Sequence, residues 1–124
     1  MEEYGSRTSY DAVITIQAEF PALAYQLQSN VWIKQLFISV QNLAAYTKEQ
    51  LLSGNQKEVE HCYNVAREIL DKGGNISRMA IENVFVYAVS HLLEVSLSVS
   101  QEARSLFLAL FKKEYCRQLN ATQA

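Results

Sequence analysis

The sequence has few of the residues that interrupt helices or cross-link a chain. Its 124 residues include one proline, four glycines and two cysteines. Two cysteines are too few for a disulfide scaffold, and scarce helix breakers favour long helices. The length suits one domain. We therefore expect a single helical domain over residues 9–119, with a flexible N-terminus at 1–8 and a frayed C-terminus at 120–124.

Three further features are missing: an excess of positive charge, a secretory signal and a membrane-spanning apolar run. The formal net charge is −2, which argues against a nucleic-acid partner because phosphate binding depends on concentrated Lys and Arg. No apolar run follows a basic cluster near the N-terminus, as a secretory signal would require. The most apolar stretch, 79–99, contains Glu82 and Glu94, which a lipid-spanning helix would bury at high cost. We expect a cytoplasmic protein with no membrane partner.

Apolar residues recur at helical spacing along five segments. Short stretches containing Gly, Asn or Ser separate the segments, and short connections favour antiparallel neighbours, so the expected fold is an all-α antiparallel bundle. Because proline removes a backbone donor, we expect the first helix to kink or split at Pro21. The predicted helices are 10–28, 31–53, 56–73, 75–94 and 101–119.

Turn residues mark the ends of these helices. Gly54 suits the left-handed position after the second helix, and Asn55 followed by Glu58 is a capping-box arrangement for the third. One alternative stays open, since the β-branched and aromatic residues at 84–89 would also suit a buried strand. The expected N-caps are Thr8 or Ser9, Asn55, Asn75 and Ser100. The expected core includes Ile33, Leu36 and Leu51 of the second helix, Val59, Tyr63 and Leu70 of the third, and Phe107, Phe111 and Leu119 of the fifth.

Two possible chemical sites are set aside. Glu58 and His61 have the Glu-x-x-His spacing of carboxylate di-iron bundles, but the one possible counterpart, at His91, has the reversed order. Cys62 falls at the edge of a buried face and Cys116 has no His near it in sequence, whereas a catalytic thiol needs a positioned base. We expect no metal and no cofactor, and an enzyme is the less favoured interpretation.

Two acidic residues fall among apolar ones. Glu82 lies within the apolar stripe of the fourth helix, and Glu114 within that of the fifth. A buried carboxylate needs a counter-charge or several donors, and Arg78, one turn before Glu82, is the expected mate. Two interpretations stay open: a structural salt bridge, or a polar pocket of Arg78, Glu82 and Glu114 that serves a small-ligand binder or an enzyme.

Charge is nearly absent from two stretches. The only charges in 12–47 are Glu19 and Lys34, and the only charge in 83–101 is Glu94. Charge depletion with retained aromatics is typical of interface centres. On the second helix, opposite its core face, lies a line of Ile38, Ala45 and Leu52, with Gln41 and Asn42 beside it.

This line predicts an interface with another protein or with a second copy in a homodimer. A second helix buried on both sides within its own domain is the alternative. The expected function is a non-catalytic protein-binding domain that acts by surface complementarity through the second helix, and a purely structural subunit is a further alternative.

Three runs of the sequence carry a family resemblance. They are Gly-Asn-Gln-Lys-Glu-Val-Glu-His-Cys-Tyr at 54–63, Ile-Leu-Asp-Lys-Gly-Gly-Asn at 69–75, and Ala-Ile-Glu-Asn-Val-Phe-Val-Tyr-Ala-Val-Ser-His-Leu-Leu-Glu at 80–94. With the Phe20-Pro21 step, they make the chain resemble a group of small bacterial helical domains of unknown function. Some such families are suspected of containing toxin-immunity proteins, so the resemblance implies an immunity or regulatory role.

Overall fold

Five helices make up most of the described chain. The structure, a computed structural model, describes residues 2–23 and 32–123, with the side chains of 11–23 and 33–120. These ranges contain no strand, so the all-α class with five helices is confirmed. The helices are α1 (Glu2–Glu19), α2 (Trp32–Ser53), α3 (Gln56–Lys72), α4 (Asn75–Ala80, Ile81–Val86 and Tyr87–Val95 in succession) and α5 (Gln101–Gln123).

The first helix breaks where the proline predicts. The Phe20 N–H still donates to the Ile16 carbonyl at 2.9 Å, but α1 ends at Glu19 and a short 3₁₀ helix, Pro21–Leu23, follows. The rest of the predicted first helix, 24–28, lies outside the described residues. The predicted split at Pro21 is therefore confirmed.

Both ends of the chain are more helical than expected. α1 begins at Glu2 rather than near Tyr10, so neither Thr8 nor Ser9 caps it and the helix extends into the segment expected to be flexible. α5 continues to Gln123, into the segment expected to be frayed. The regularly spaced apolar residues begin after the start of α1 and stop before the end of α5. Periodicity alone therefore predicts that the first helix begins too late and that the last helix ends too early.

The connection between α2 and α3 follows the predicted turn chemistry. Gly54 has a φ of 78°, and its N–H donates to the Leu51 carbonyl at 3.4 Å. The Asn55 N–H donates to the Gln50 carbonyl at 3.1 Å, which completes a Schellman motif. The Asn55 side chain accepts a hydrogen bond from the Glu58 N–H at 3.4 Å, so the predicted cap of α3 is confirmed.

Helix α2 lies in the middle of the fold, in contact with α1, α3 and α4. Its predicted core residues Leu36 and Leu51 are buried, but Ile33 is 48% exposed, which corrects the expectation for that residue. Gln35 and Ser39 are buried instead. Because neighbouring helices cover α2 on several sides, its buried face extends over uncharged polar residues that apolar spacing does not reveal.

An aromatic cluster joins α3, α4 and α5. Tyr63 of α3 is fully buried, and its ring packs edge-on against Phe107 at 5.9 Å and Phe111 at 6.1 Å between centroids. Phe85 of α4 packs against Phe111 at 5.8 Å. The predicted core residues Val59, Tyr63, Leu70, Phe107 and Phe111 are all buried.

Helix α4 contains a turn of π-helix, Ile81–Val86, between two α-helical segments. Buried Ala80 and Ile81 are followed five residues later by buried Phe85 and Val86, a spacing that fits the wider π-helical turn. The helical interpretation of 84–89 is confirmed over the strand. The wider turn also shifts the phase of every side chain after it relative to a regular helical wheel.

Of the remaining predictions, the cap of α5 is confirmed, whereas those for Asn75 and Leu119 are wrong. Ser100 Oγ accepts from the Ala103 N–H at 3.1 Å, as predicted for α5. Asn75 is not a cap, because extended Gly74 occupies the N-cap position and Asn75 already lies in the helix. Leu119 is 39% exposed rather than inward, since α5 leaves α-helical geometry midway and changes phase beyond that point.

Candidate functional site

Glu114 on α5 is an acidic residue within the bundle, with 4% of its surface exposed. Its Oε1 lies 3.4 Å from Nη1 of Arg67 on α3. The same Nη1 donates to the Leu110 carbonyl at 2.6 Å, and the guanidinium lies 5.9 Å from the ring centroid of Phe111. Arg67 thus supplies the counter-charge that a buried carboxylate needs.

Arg67 also binds Asp71, one turn further along α3. Its Nη2 lies 2.5 Å from Asp71 Oδ1. This hydrogen bond lowers the pKa of Asp71 and raises that of Arg67. With its donors directed at two carboxylates and a carbonyl, Arg67 links α3 to α5. We assign the cluster of Arg67, Asp71 and Glu114 a structural role.

Glu82 pairs with a different residue from the one expected. Its Oε2 lies 2.7 Å from Nη1 of Arg117 on α5, and the Gln118 side chain donates to the Glu82 carbonyl. Arg78 is exposed and makes no ion pair with Glu82. Glu82 and Glu114 therefore have separate partners, so the geometry lends no support to a shared polar pocket. Glu82 lies within the π-helical turn, so its position relative to Phe85 and Val86 differs from that on a regular helical wheel.

A second polar network ties α1, α2 and α3 together. His61 Nε2 lies 2.8 Å from Glu19 Oε1, and His61 Nδ1 lies 3.7 Å from Glu58 Oε1. Tyr46 donates its hydroxyl to Glu58 Oε2 at 2.5 Å. The Phe20 ring packs against both aromatic partners, at 4.5 Å from His61 and 5.5 Å from Tyr46 between centroids.

This network occupies the Glu-x-x-His pair of α3. The hydrogen bond to Glu58 raises the pKa of Tyr46 to about 12, so the hydroxyl stays protonated near neutral pH. Among the described residues, no three His, Cys, Asp or Glu side chains are placed to hold one metal ion. Glu58 and His61 serve contacts between helices.

The two cysteines differ in environment. Cys62 is fully buried on α3, and burial raises the pKa of its thiol to about 11. A thiol held protonated is a poor nucleophile. Cys62 therefore lacks the features of a catalytic thiol. Cys116 is exposed on α5.

The line expected on α2 is only partly open. Ala45 is exposed and Leu52 is 54% exposed, but Ile38 is half-buried. Of the two polar neighbours, Gln41 is exposed and Asn42 is half-buried. The accessible apolar surface on this side of α2 is therefore small.

A larger apolar surface lies at the end of α4 and in the loop after it. Tyr87 is 61% exposed, Val95 64% and Leu97 95%. The His91 ring stacks on Tyr87, 6.4 Å away and tilted by 10°. We call Tyr87, Val95 and Leu97 the α4 patch. Three large apolar side chains exposed within eleven residues are more than the scattered single residues of an ordinary surface.

A cleft of about 230 Å³ lies between α4 and α5, next to the α4 patch in that Glu94, the neighbour of Val95 in sequence, lines it. On its rim, Tyr115 donates its hydroxyl to Glu94 Oε2 at 2.8 Å, which raises the pKa of Tyr115. The lining includes Ser90, Leu93, Glu94, Phe107, Leu108 and Tyr115.

Arg104 on α5 holds the loop that carries Leu97. Its guanidinium donates to the carbonyls of Leu93, Ser96 and Val99. These carbonyls lie at the C-terminal end of α4 and in the following loop, where the helix dipole favours a cation. The exposed loop is thereby fixed from beneath.

The sequence indicated the charge-poor stretch 83–101 but not which of its apolar residues are exposed. The low charge was the available signal, and it does not separate a buried helix from an exposed apolar face. Nothing in the sequence marks Arg104 or Arg67, because each binds atoms of another helix or loop. Their roles depend on tertiary packing alone.

Comparison with known proteins identifies a family and no more. No described helix is both long and apolar enough to cross a bilayer. No curated protein and no solved structure matches the chain. A family model matches residues 13–121, nearly the whole of the described fold, and the chain belongs to that family, a domain of unknown function designated DUF7674.

Proposed function

We propose that this chain is a non-catalytic protein-binding domain whose contact surface is the α4 patch together with the adjoining cleft. The observation that carries the proposal is the exposure of Tyr87, Val95 and Leu97 in a stretch whose only formal charge is Glu94. Interface centres combine aromatic and apolar side chains with few charges, and several large apolar side chains exposed within a short stretch suit an interaction site.

The way the loop is held supports the same proposal. Arg104 donates to three carbonyls beneath the loop, and the hydroxyls of Ser96 and Ser98 lie 3.0 Å apart. A surface fixed before binding loses less conformational entropy on association. Such a surface suits recognition by shape complementarity, which is how an immunity or regulatory protein would act.

The α2 line is the second candidate contact surface. Of this line, Leu52 is 54% exposed, Ala45 is exposed and Ile38 is half-buried, and Ile33, which lies off the line on the same helix, is 48% exposed. This surface suits a second copy of the chain or a second partner. It has fewer exposed large side chains than the α4 patch, so we rank it below.

Affinity purification from the native cell tests the proposal. The wild type is compared with Val95→Ser/Leu97→Ser and with a matched control on α2, Ile33→Ser/Leu52→Ser. We expect a protein at stoichiometric level with the wild type and the control, and its loss with the patch variant. Circular dichroism checks that each variant is folded.

Three results would contradict this assignment. Retention of the partner by the patch variant and its loss from the α2 variant would move the contact to α2. A copurifying metabolite without a protein would favour a small-ligand binder or an enzyme. If light scattering gives twice 14.1 kDa for the wild type and for the patch variant but not for the α2 variant, the chain pairs with itself through α2.

A further inference from the structure

We infer that the cleft beside the α4 patch receives one large apolar side chain of the partner, and that this residue is flanked by a Lys or Arg that pairs with Glu94. The inference rests on the proposed function, and it names the chemistry of the partner. It follows from the size of the cleft, from its walls and from the charges around it.

The size of the cleft favours a single side chain. Its volume of about 230 Å³ lies below the roughly 300–1,000 Å³ of small-molecule sites. Leu93, Phe107 and Leu108 provide apolar walls. Interfaces commonly place one aromatic or large aliphatic anchor in such a pocket, where it contributes much of the binding energy.

Two charged residues border the cleft, and they differ in their surroundings: the donors of Arg104 go to backbone carbonyls, whereas Glu94 is exposed to solvent. The Arg104 guanidinium donates to three carbonyls, including that of Leu93 at the negative end of the α4 dipole. Glu94 accepts a hydrogen bond from Tyr115 and forms no ion pair with any described residue. An ionised carboxylate offers about four acceptor sites, so Glu94 has capacity for a cation.

The position of Glu94 links the two parts of the inference. Glu94 lines the cleft and is the only formal charge in 83–101. Val95, its neighbour in sequence, belongs to the α4 patch. A partner whose anchor enters the cleft therefore brings its adjacent residue towards an exposed carboxylate that has no ion-pair partner among the described residues. Complementary charge at this point selects partners with Lys or Arg beside the anchor and repels those with Asp or Glu.

Nuclear magnetic resonance titration of the full chain tests the inference without knowledge of the partner. The probes are two dipeptide amides, N-acetyl-Trp-Lys-amide and N-acetyl-Trp-Glu-amide. At low salt we expect both to shift the amide signals of Leu93 and Leu108, and the Lys probe to bind about five-fold more tightly, as one exposed ion pair permits. Glu94→Gln should abolish that difference and leave the fold intact.

A matched pair of variants locates the binding site. Leu108 and Leu119 are 47% and 39% exposed on the same helix, and Leu108 lines the cleft. Leu108→Asn should weaken both probes, whereas Leu119→Asn should leave them unchanged. If Leu108→Asn does not fold, the Glu94→Gln comparison decides the question alone.

The results separate failure of the inference from failure of the proposed function. Absent shifts around the cleft, equal affinity for the two probes, or tighter binding of the Glu probe would overturn the inference, even if partner capture depends on the α4 patch. Partner capture that does not depend on the α4 patch would overturn the proposed function.

Discussion

The two charge-poor stretches of the chain share a low charge content but differ in how their side chains are buried. In the described part of 12–47, low charge accompanies burial, because α1 and α2 pack against each other and α2 also contacts α3 and α4. In 83–101, one face of α4 is buried but the other face and the following loop expose large apolar side chains. The buried residues of the first stretch include Ala12, Val13, Ile16, Leu36, Val40 and Leu43.

The difference shows that charge depletion has two physical causes. In the first stretch the fold itself excludes charge, since an unpaired ion in the interior is costly. In the second, Tyr87, Val95 and Leu97 remain exposed within the part of the chain that the structure describes. The second stretch therefore carries the surface that we rank first as a contact for a partner.

The largest effect should come from placing the same charge in each stretch. Leu36 is fully buried and Leu97 is 95% exposed. Leu36→Asp should prevent folding, because the cost of an isolated buried carboxylate is comparable with the roughly 5–15 kcal/mol stability of a whole domain. Leu97→Asp should change the unfolding free energy by less than about 0.5 kcal/mol. Urea unfolding monitored by circular dichroism measures both changes. A comparable loss of unfolding free energy in the two variants would contradict the distinction between the two stretches.

Charges that do enter the bundle lie outside the two stretches and are paired. Arg67→Met should cost about 3 kcal/mol of unfolding free energy, because Glu114 would stay buried without its counter-charge. Adding Glu114→Gln to that variant should restore part of the loss. A double variant no more stable than Arg67→Met would show that the lost hydrogen bond to the Leu110 carbonyl, and not the ion pair, is what matters.

The exposed stretch depends on one residue beneath it. Arg104→Met removes the donor of three carbonyls and should cost about 2 kcal/mol. Amide hydrogen exchange in 96–100 should also accelerate. The exposed Arg78 offers a control, since Arg78→Met should change stability by less than about 0.5 kcal/mol. Equal effects of the two variants would mean that the loop holds itself in place.

The smallest expected effect concerns the stability of the fold at alkaline pH, to which Tyr46, near the end of the stretch 12–47, contributes. The pKa of Tyr46 rises from 10.0 to about 12 in the fold, so the unfolded chain releases this proton first as pH increases. The contribution of Tyr46 to stability is full below pH 10 and is lost as pH approaches 12. The urea midpoint should fall less between pH 9 and pH 11 in Tyr46→Phe than in the wild type. An identical fall of the urea midpoint in the two proteins would mean that residues other than Tyr46 cause the loss of stability at alkaline pH.

Much of the fold was predictable from the sequence, and the reasons are local. The Schellman turn at Gly54, the cap at Asn55 and the buried face of α3 each depend on residues within one or two helical turns. The break at Pro21 likewise follows from backbone chemistry alone.

The candidate site was less predictable because its determinants are not local. The π-helical turn, Ile81–Val86, shifts the phase of α4 beyond it, and Glu82 pairs with Arg117 on another helix. Arg67 and Arg104 act on atoms that only tertiary packing brings near. The packing of the other helices around α2 likewise decides which of the two charge-poor stretches is exposed. The spacing of apolar residues in the sequence does not predict that packing.

Site-specific photo-cross-linking in the native cell tests the central claim most directly. A benzophenone amino acid is placed at Leu97 in the α4 patch or at Ala45, which is exposed on α2. The account predicts a discrete protein adduct from position 97 and none from position 45. An adduct from position 45 alone would contradict it, and so would the absence of any adduct from position 97 in a folded, expressed chain.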